Sequence, residues 1–406
     1  MFSLQPNTHI TSQSWLLIDP HGLPRYWSTI WGMFRLNGLA DTTVEKSLRY
    51  LESFYDYSDR NQYIGALDDA IGNIDLSALG TLLEGYFSSL QNKSEINGAT
   101  QKKWDTAFRF VKDTIFLLSK NNQNIAELRK VEAKVGRLES LYSQLRISKR
   151  KTQEAIRSLP ANVIEYVYMM LDPLSEINPF KRDVTRWRVF IMFTLLLHQG
   201  LRRGELLCLS LDSIRSDFDA KSNRMTHRLR VIENEYEPDI RYTKSSIKNN
   251  NSIRQIPVSQ LTADLVYEYI EQFRGKPNHS FLINSQYNTP LSVESLTKYF
   301  QEISDHLPDT IKDDLQYQTG KRVISAHALR HTCAVVRLNQ LLSQGDEMNE
   351  ALQKMRSFFG WSKQSDMPQR YAKAVFDDRL ATVWNDVFDN RVAFLRAIPR
   401  SLNHES

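Results

Sequence analysis

The chain has 406 residues, 41% hydrophobic and 24% charged, which excludes a disordered or fibrous protein and leaves room for two or three domains with their own cores. Its net charge of +5 and pI near 8.9 permit a nucleic-acid partner without requiring one. Cys208 and Cys333 lie in helical apolar patterns and read as buried free thiols of a reducing cytoplasm; the longest apolar run, Val189 to Leu197, is too short to span a bilayer, and the N-terminus lacks a signal core.

Residues 1–25 are turn-rich (Pro6, Pro20, Gly22, Pro24) and read as a short arm. A helical domain is expected over 26–150. Asp41-Thr42-Thr43-Val44-Glu45 has the form of a capping box, with Thr42 reaching the Glu45 amide, and it opens a helix with apolar residues at Val44, Leu48, Leu51 and Tyr55. A second helix carries Leu76, Leu79, Leu82, Leu83, Tyr86 and Phe87, and a third carries Trp104, Phe108, Val111, Ile115 and Leu118. Lys102, Lys103, Arg109 and Lys112 on this third helix form either a solvated basic edge or a contact with a DNA backbone. Leu128 to Leu145 follow a coiled-coil-like spacing that Gly136 interrupts, so a helix packed on its own domain and a dimer seam both remain open. The basic run Arg146, Lys149, Arg150 and Lys151 precedes Leu159-Pro160, and the domain boundary is placed there.

The second domain is expected over 151–375, with central helices at 163–170 and 185–198. Gly200-Leu201-Arg202-Arg203-Gly204-Glu205-Leu206 is a tight turn entering another helix. The period then changes: Arg228 to Glu233, Asp239 to Thr243 and Ser252 to Val258 read as strands, with Lys248 to Asn251 as a hairpin turn between the last two. Helices return at 264–273 and 293–303. The fold class is mainly α with a small antiparallel β-sheet. Residues 376–406 are expected to form a helical tail whose apolar face, Leu380, Val383, Trp384, Val387, Phe388, Phe394 and Leu395, needs a partner.

The stretch from His327 to Tyr371 carries the chemistry. His327 and Arg330 are three apart at the start of a helical apolar rhythm, which predicts a proton-handling imidazole and a fixed cation on one face. A guanidinium fork beside an imidazole is suited to gripping a phosphodiester, and Tyr371 supplies a hydroxyl nucleophile.

Arg202, a lysine of the hairpin, His327, Arg330, Trp361 and Tyr371, in that order, resemble the catalytic set of the tyrosine recombinase (phage integrase) family. Gly-Leu-Arg-Arg-Gly-Glu-Leu is similar to the family's first arginine box, His-Ala-Leu-Arg-His to its His-x-x-Arg box, and Gly-Trp followed by Arg-Tyr to its nucleophile box. The resemblance covers residues 160–375, while the N-terminal part resembles the family's core-binding domain only in kind. Trp361 stands where the family usually has a second histidine, and it lies ten residues before Tyr371, one more than expected.

The resemblance implies a helical core-binding domain joined to a mixed catalytic domain. Tyr371 would attack a DNA phosphate to give a 3′-phosphotyrosine, Arg202 and Arg330 would stabilise the charge, and His327 would accept or orient the phenolic proton. Trp361 would add a hydrogen bond and a packing wall. Glu205 would orient the cations, and Lys248, with Lys244 as the alternative, would protonate the leaving oxygen. No metal and no other cofactor is implied. The implied partners are duplex DNA with a specific recombination site, a homo-tetramer on that DNA, and accessory DNA-bending proteins or sister recombinases, without a membrane and in the nucleoid region of the cytoplasm. A type IB topoisomerase-like or telomere-resolving enzyme, and a non-catalytic DNA-binding protein on the same fold, are the competing readings.

Overall fold

The computed structural model describes residues 3–6, 15–92, 98–120, 158–220, 223–237, 239–241, 247 and 252–377, with single helical positions between 121 and 157. The chain divides into two compact units, Met1–Gln153 and Glu154–Ser406. In the first, Ser3–Pro6 (β1) pairs antiparallel with Trp15–Ile18 (β2), so the segment expected as an arm contains a strand pair. Tyr26–Trp31 (α1) continues as a π-helical turn at Gly32–Leu36 and is followed by Asp41–Asn61 (α2), Ala66–Gly72 (α3), Leu76–Gln91 (α4) and Gly98–Lys120 (α5).

The apolar spacing seen in the sequence becomes the core of this unit. Val44, Leu48, Leu51 and Tyr55 of α2 meet Leu79, Leu83 and Tyr86 of α4 and Trp104, Phe110 and Ile115 of α5. The expected capping box does not form. Ala40 is the cap residue of α2 in extended backbone, so Thr42 already lies inside the first turn, and Asp41 places an acid there, where the helix dipole favours it. Asp75, in contrast, caps α4 by accepting from the amides of Ser77 and Ala78 at 3.1 and 3.0 Å.

The second unit contains Ala161–Leu171 (α6), Asp183–His198 (α7), Arg203–Cys208 (α8), Gln260–Glu268 (α9, extended by a π-helical turn at Tyr269–Phe273), Val293–Asp305 (α10), Asp309–Thr319 (α11), Ala326–Ser343 (α12), Met348–Phe359 (α13) and Met367–Asp377 (α14). Helix α7 is buried at every position from Trp187 to Leu197, as expected of a central helix, and all but Arg188 and Thr194 of these are apolar. Cys208 and Cys333 are buried free thiols. Among the described residues no helix is long and apolar enough to cross a membrane.

Ile214–Asp219 (β3), Arg224–Val231 (β4) and Arg254–Val258 (β5) form an antiparallel sheet in the order β3-β4-β5. Ile214, Leu229 and Ile256 lie opposite one another in register and are buried as one row against the helices. Strand β3 escaped the sequence reading because most of its side chains are polar and the alternation is weak. The expected strand at 239–243 is a correction: Asp239 to Arg241 is irregular, and the rest lies outside the described residues. The reason is Arg241, which is buried and donates to the Leu207 and Leu291 carbonyls at 3.1 and 2.8 Å while pairing with Asp239 at 2.7 Å.

Candidate active site

The site is built on the turn that ends α7. Gly200 has φ +56° and lies against Phe359 and Cys333, so a Cβ there would run into the Phe359 ring and come within 3.1 Å of the Cys333 sulfur. Arg202 follows as the cap residue of α8. Its backbone N–H donates to Glu205 Oε2 at 2.8 Å, and its Nη1 donates to Glu205 Oε1 at 2.5 Å and to Ser252 Oγ at 2.9 Å.

Glu205 is only 1% exposed and is the hub of the site. Besides Arg202 it receives Arg254 Nη1 and Nη2 at 3.1 and 3.0 Å, one on each oxygen, and Arg330 Nη1 lies 3.6 Å from Oε2. Burial alone would raise its carboxyl pKa, but the hydrogen bond and charge of Arg254, then Arg330 and Arg202, outweigh it and hold the pKa below the ordinary value. Three guanidiniums around one carboxylate leave an excess of two positive charges. The consequence falls on Arg330, which is 3% exposed: burial first, then the neighbouring Arg202, lower its pKa to about 9, against the opposing pull of Glu205. A buried cation under such repulsion is relieved by an incoming anion.

Arg330 is fixed by donating from Nη1 to the Gly200 carbonyl at 2.5 Å and from Nη2 to the Phe359 carbonyl at 2.7 Å, with its guanidinium over the Phe359 ring. It points into the protein, whereas His327 is exposed. The two do not share one environment as the spacing suggests: the Gly200 and Phe359 carbonyls draw the guanidinium inward, while His327, about 60° round the helix, stays at the surface.

Tyr371, on α14, is 1% exposed. Its ring stacks on Trp361 at 5.2 Å with planes 13° apart, and Trp361 stacks on Phe359 in the same way at 4.9 Å, so the longer spacing between Trp361 and Tyr371 still brings the two rings together. Gly360, at φ +61°, caps α13 and turns the chain into Trp361. Burial pushes the Tyr371 phenol well up, against the opposing charges of Arg330, Arg370 and Arg202, so it is protonated at neutral pH. Its oxygen lies 2.5 Å from His331 Nδ1, and the His331 ring meets that of His327 edge to face at 4.2 Å.

The structure therefore gathers Arg202 and Arg330 around the Glu205 carboxylate and sets Tyr371 on Trp361, with His327 against His331, the phenol's partner. It adds two residues that the sequence reading missed. Arg254 carried a signal only as an arginine inside an alternating strand, and His331 only as the second histidine of His-Ala-Leu-Arg-His. Lys248 and Lys244 lie outside the described residues, as do Arg146, Lys149, Arg150, Lys151 and the apolar tail from Leu380.

On α5 of the first unit, Lys102 and Arg109 are exposed and Lys103 and Lys112 half-buried. Arg109 and Lys112 line a cleft of about 550 Å³ together with Arg35, Thr43 and Ser47, while Asp113 on its wall pairs with Arg35 at 2.6 Å. Lys102 and Lys103 do not belong to that lining.

The family model described as the phage integrase family matches residues 169–377, more than half of the chain and the whole of the region that supplies Arg202 through Tyr371. Among curated proteins none matches the chain. With that match laid over the arginine cluster and the buried tyrosine, the chain belongs to the phage integrase family of tyrosine recombinases, whose substrate is DNA.

Proposed function

We propose that this recombinase is a site-specific recombinase or integrase of a mobile genetic element, which cuts and rejoins duplex DNA through a 3′-phosphotyrosine formed on Tyr371. The observation that carries the reading is the surplus of positive charge around Glu205 beside a buried, protonated tyrosine. Arg202 and Arg330 would hold the non-bridging oxygens of the phosphodiester and stabilise the charge that grows on them as the phenolic oxygen attacks. Glu205 keeps their forks aligned. His327, exposed one turn before His331, would take up the phenolic proton as the oxygen bonds to phosphorus, and Trp361 would wall the nucleophile. The leaving 5′-oxygen would take a proton from Lys248. The phosphotyrosine conserves the energy of the broken bond, so resealing by a 5′-hydroxyl needs neither nucleotide nor metal.

The basic helix α5 and the run at 146–151 support a first unit that grips the DNA backbone, and the apolar tail supports assembly into a homo-tetramer on DNA, with accessory DNA-bending proteins or sister recombinases as further partners. The reading places the protein at the nucleoid.

The test uses DNA flanking the protein's own gene, nicked just beyond each candidate cleavage site so that the attached strand is trapped. The wild type should yield a DNA-linked peptide containing Tyr371, and Tyr371→Phe should bind with unchanged affinity but attach nothing. A covalent complex persisting in Tyr371→Phe would move the nucleophile elsewhere; Tyr299, held by Arg188 at 3.4 Å, and Tyr242, outside the described residues, are the residues to examine next. Relaxation of any supercoiled plasmid, regardless of sequence, would favour the topoisomerase-like alternative.

A further inference from the structure

Among the contacts of the Tyr371 side chain, two act on different freedoms. The stack on Trp361 sets the plane of the ring, while the 2.5 Å contact with His331 Nδ1 sets the direction of the oxygen within that plane. His331 lies one turn after His327 on α12, so it is carried by the same rigid helix that presents Arg330 to the Gly200 and Phe359 carbonyls. The helix thereby ties the position of the nucleophilic oxygen to the position of the cation.

We infer that His331 is the positioning residue of the nucleophile, accepting a hydrogen bond from the Tyr371 hydroxyl at Nδ1 and so setting the angle at which that oxygen meets the phosphate. This rests on the reading of Tyr371 as the nucleophile. A phenol O–H is a stronger donor than an imidazole N–H, and a bare imidazole nitrogen is a better acceptor than a phenolic oxygen, so the proton of the pair lies on Tyr371. Both groups are uncharged at neutral pH: burial, then His327 and Arg330, lower His331 to about 3, and burial raises the phenol. His331 is accordingly the tautomer with hydrogen on Nε2. An attacking oxygen must be aligned with the bond it displaces, and an angular error there slows the reaction without weakening DNA binding.

The first measurement is made without DNA, on protein labelled with nitrogen-15 in its histidines. His331 should show a bare, hydrogen-bonded Nδ1 and a protonated Nε2, and its Nδ1 signal should move in Tyr371→Phe. A proton on Nδ1, or no change on losing the phenolic oxygen, overturns the inference. The second measurement is the rate of covalent attachment to the nicked DNA described above. The side-chain oxygen of asparagine can occupy the place of Nδ1, whereas that of glutamine reaches the place of Nε2. His331→Asn should stay within about threefold of wild type, and His331→Gln and His331→Ala should fall by about 30-fold or more at unchanged DNA affinity. Equal rates for the asparagine and glutamine variants would reduce His331 to packing, and a faster rate in His331→Ala would make the bond a restraint; either result overturns the inference while leaving Tyr371 as the nucleophile. Failure of the wild type to attach DNA through Tyr371 would instead remove the functional reading on which it rests.

Discussion

Arg254 and Glu205 meet as a two-pronged ion pair, Nη1 to Oε1 at 3.1 Å and Nη2 to Oε2 at 3.0 Å, between side chains that are 6% and 1% exposed. The same guanidinium donates to the Ser252 and Phe358 carbonyls, both at 2.7 Å, and so ties β5 to the end of α13. Removing it leaves a buried carboxylate with a poorer set of partners and frees the segment that leads into Trp361. Arg254→Ala should lower the unfolding free energy by about 3–5 kcal/mol in urea titration. A loss below about 1 kcal/mol would show that Arg202 and Arg330 satisfy Glu205 unaided.

Gly200 is the second fixed point. Its left-handed backbone and its contact with Phe359 both exclude a side chain, and its carbonyl receives Arg330. Gly200→Ala should cost at least about 2 kcal/mol, from backbone strain together with overpacking. It should also slow covalent attachment, because Phe359 carries the other carbonyl bound by Arg330. A melting temperature unchanged from wild type would contradict this account.

Two histidines predict an acid-sensitive fold. His198, through burial and then Arg337, and His331, through burial and then His327, are each lowered from 6.5 to about 3. Between those values the unfolded chain binds a proton at each position that the folded protein does not. Stability must therefore fall as pH drops below 6.5, by up to about 1.4 kcal/mol per pH unit for each histidine. Glu205, whose pKa is depressed, has the same sign, but its contribution is lost only below the ordinary carboxyl range. Urea midpoints that are equal at pH 6.5 and pH 5 would show that both histidines take up protons in the folded state.

Assignment of the leaving-group acid to Lys248 is testable with a substrate carrying sulfur at the bridging 5′ position, a leaving group of low pKa that needs little protonation. Lys248→Ala should cleave ordinary DNA slowly, by a factor of about 100 or more, and regain most of its rate on the sulfur substrate. Arg330→Ala, which loses charge stabilisation, should not be rescued. Rescue confined to Lys244→Ala would transfer the role to that residue.

The helices are legible because each buries a stripe at helical spacing, as Val44, Leu48, Leu51 and Tyr55 do in α2, or a nearly continuous apolar run, as Val189 to Leu197 does in α7 with Thr194 its one polar residue. The strand at Arg254–Val258 was legible from its alternation, whereas Ile214–Asp219, with few apolar side chains, was not. The start of α2 was misread because Thr42 and Glu45 fit a capping box, yet only the backbone angles at Ala40 decide which residue stands outside the helix.

At the site, the order of Arg202, Glu205, His327, Arg330, Trp361 and Tyr371 along the chain carries the resemblance to the family, since those side chains and their spacing are properties of the sequence. The inventory is thus written in the chain: which cations, which imidazoles, which hydroxyl, and which helices carry them. The pairings come from the packing of the folded chain. Glu205 meets Arg254 across 49 residues, and His331 meets Tyr371 across 40. No periodicity encodes contacts of that separation, because they are set by how α8, β5, α12 and α14 pack. The facing of His327 and Arg330 was likewise fixed by what lies beneath α12: the Gly200 and Phe359 carbonyls draw the guanidinium inward and leave His327 at the surface.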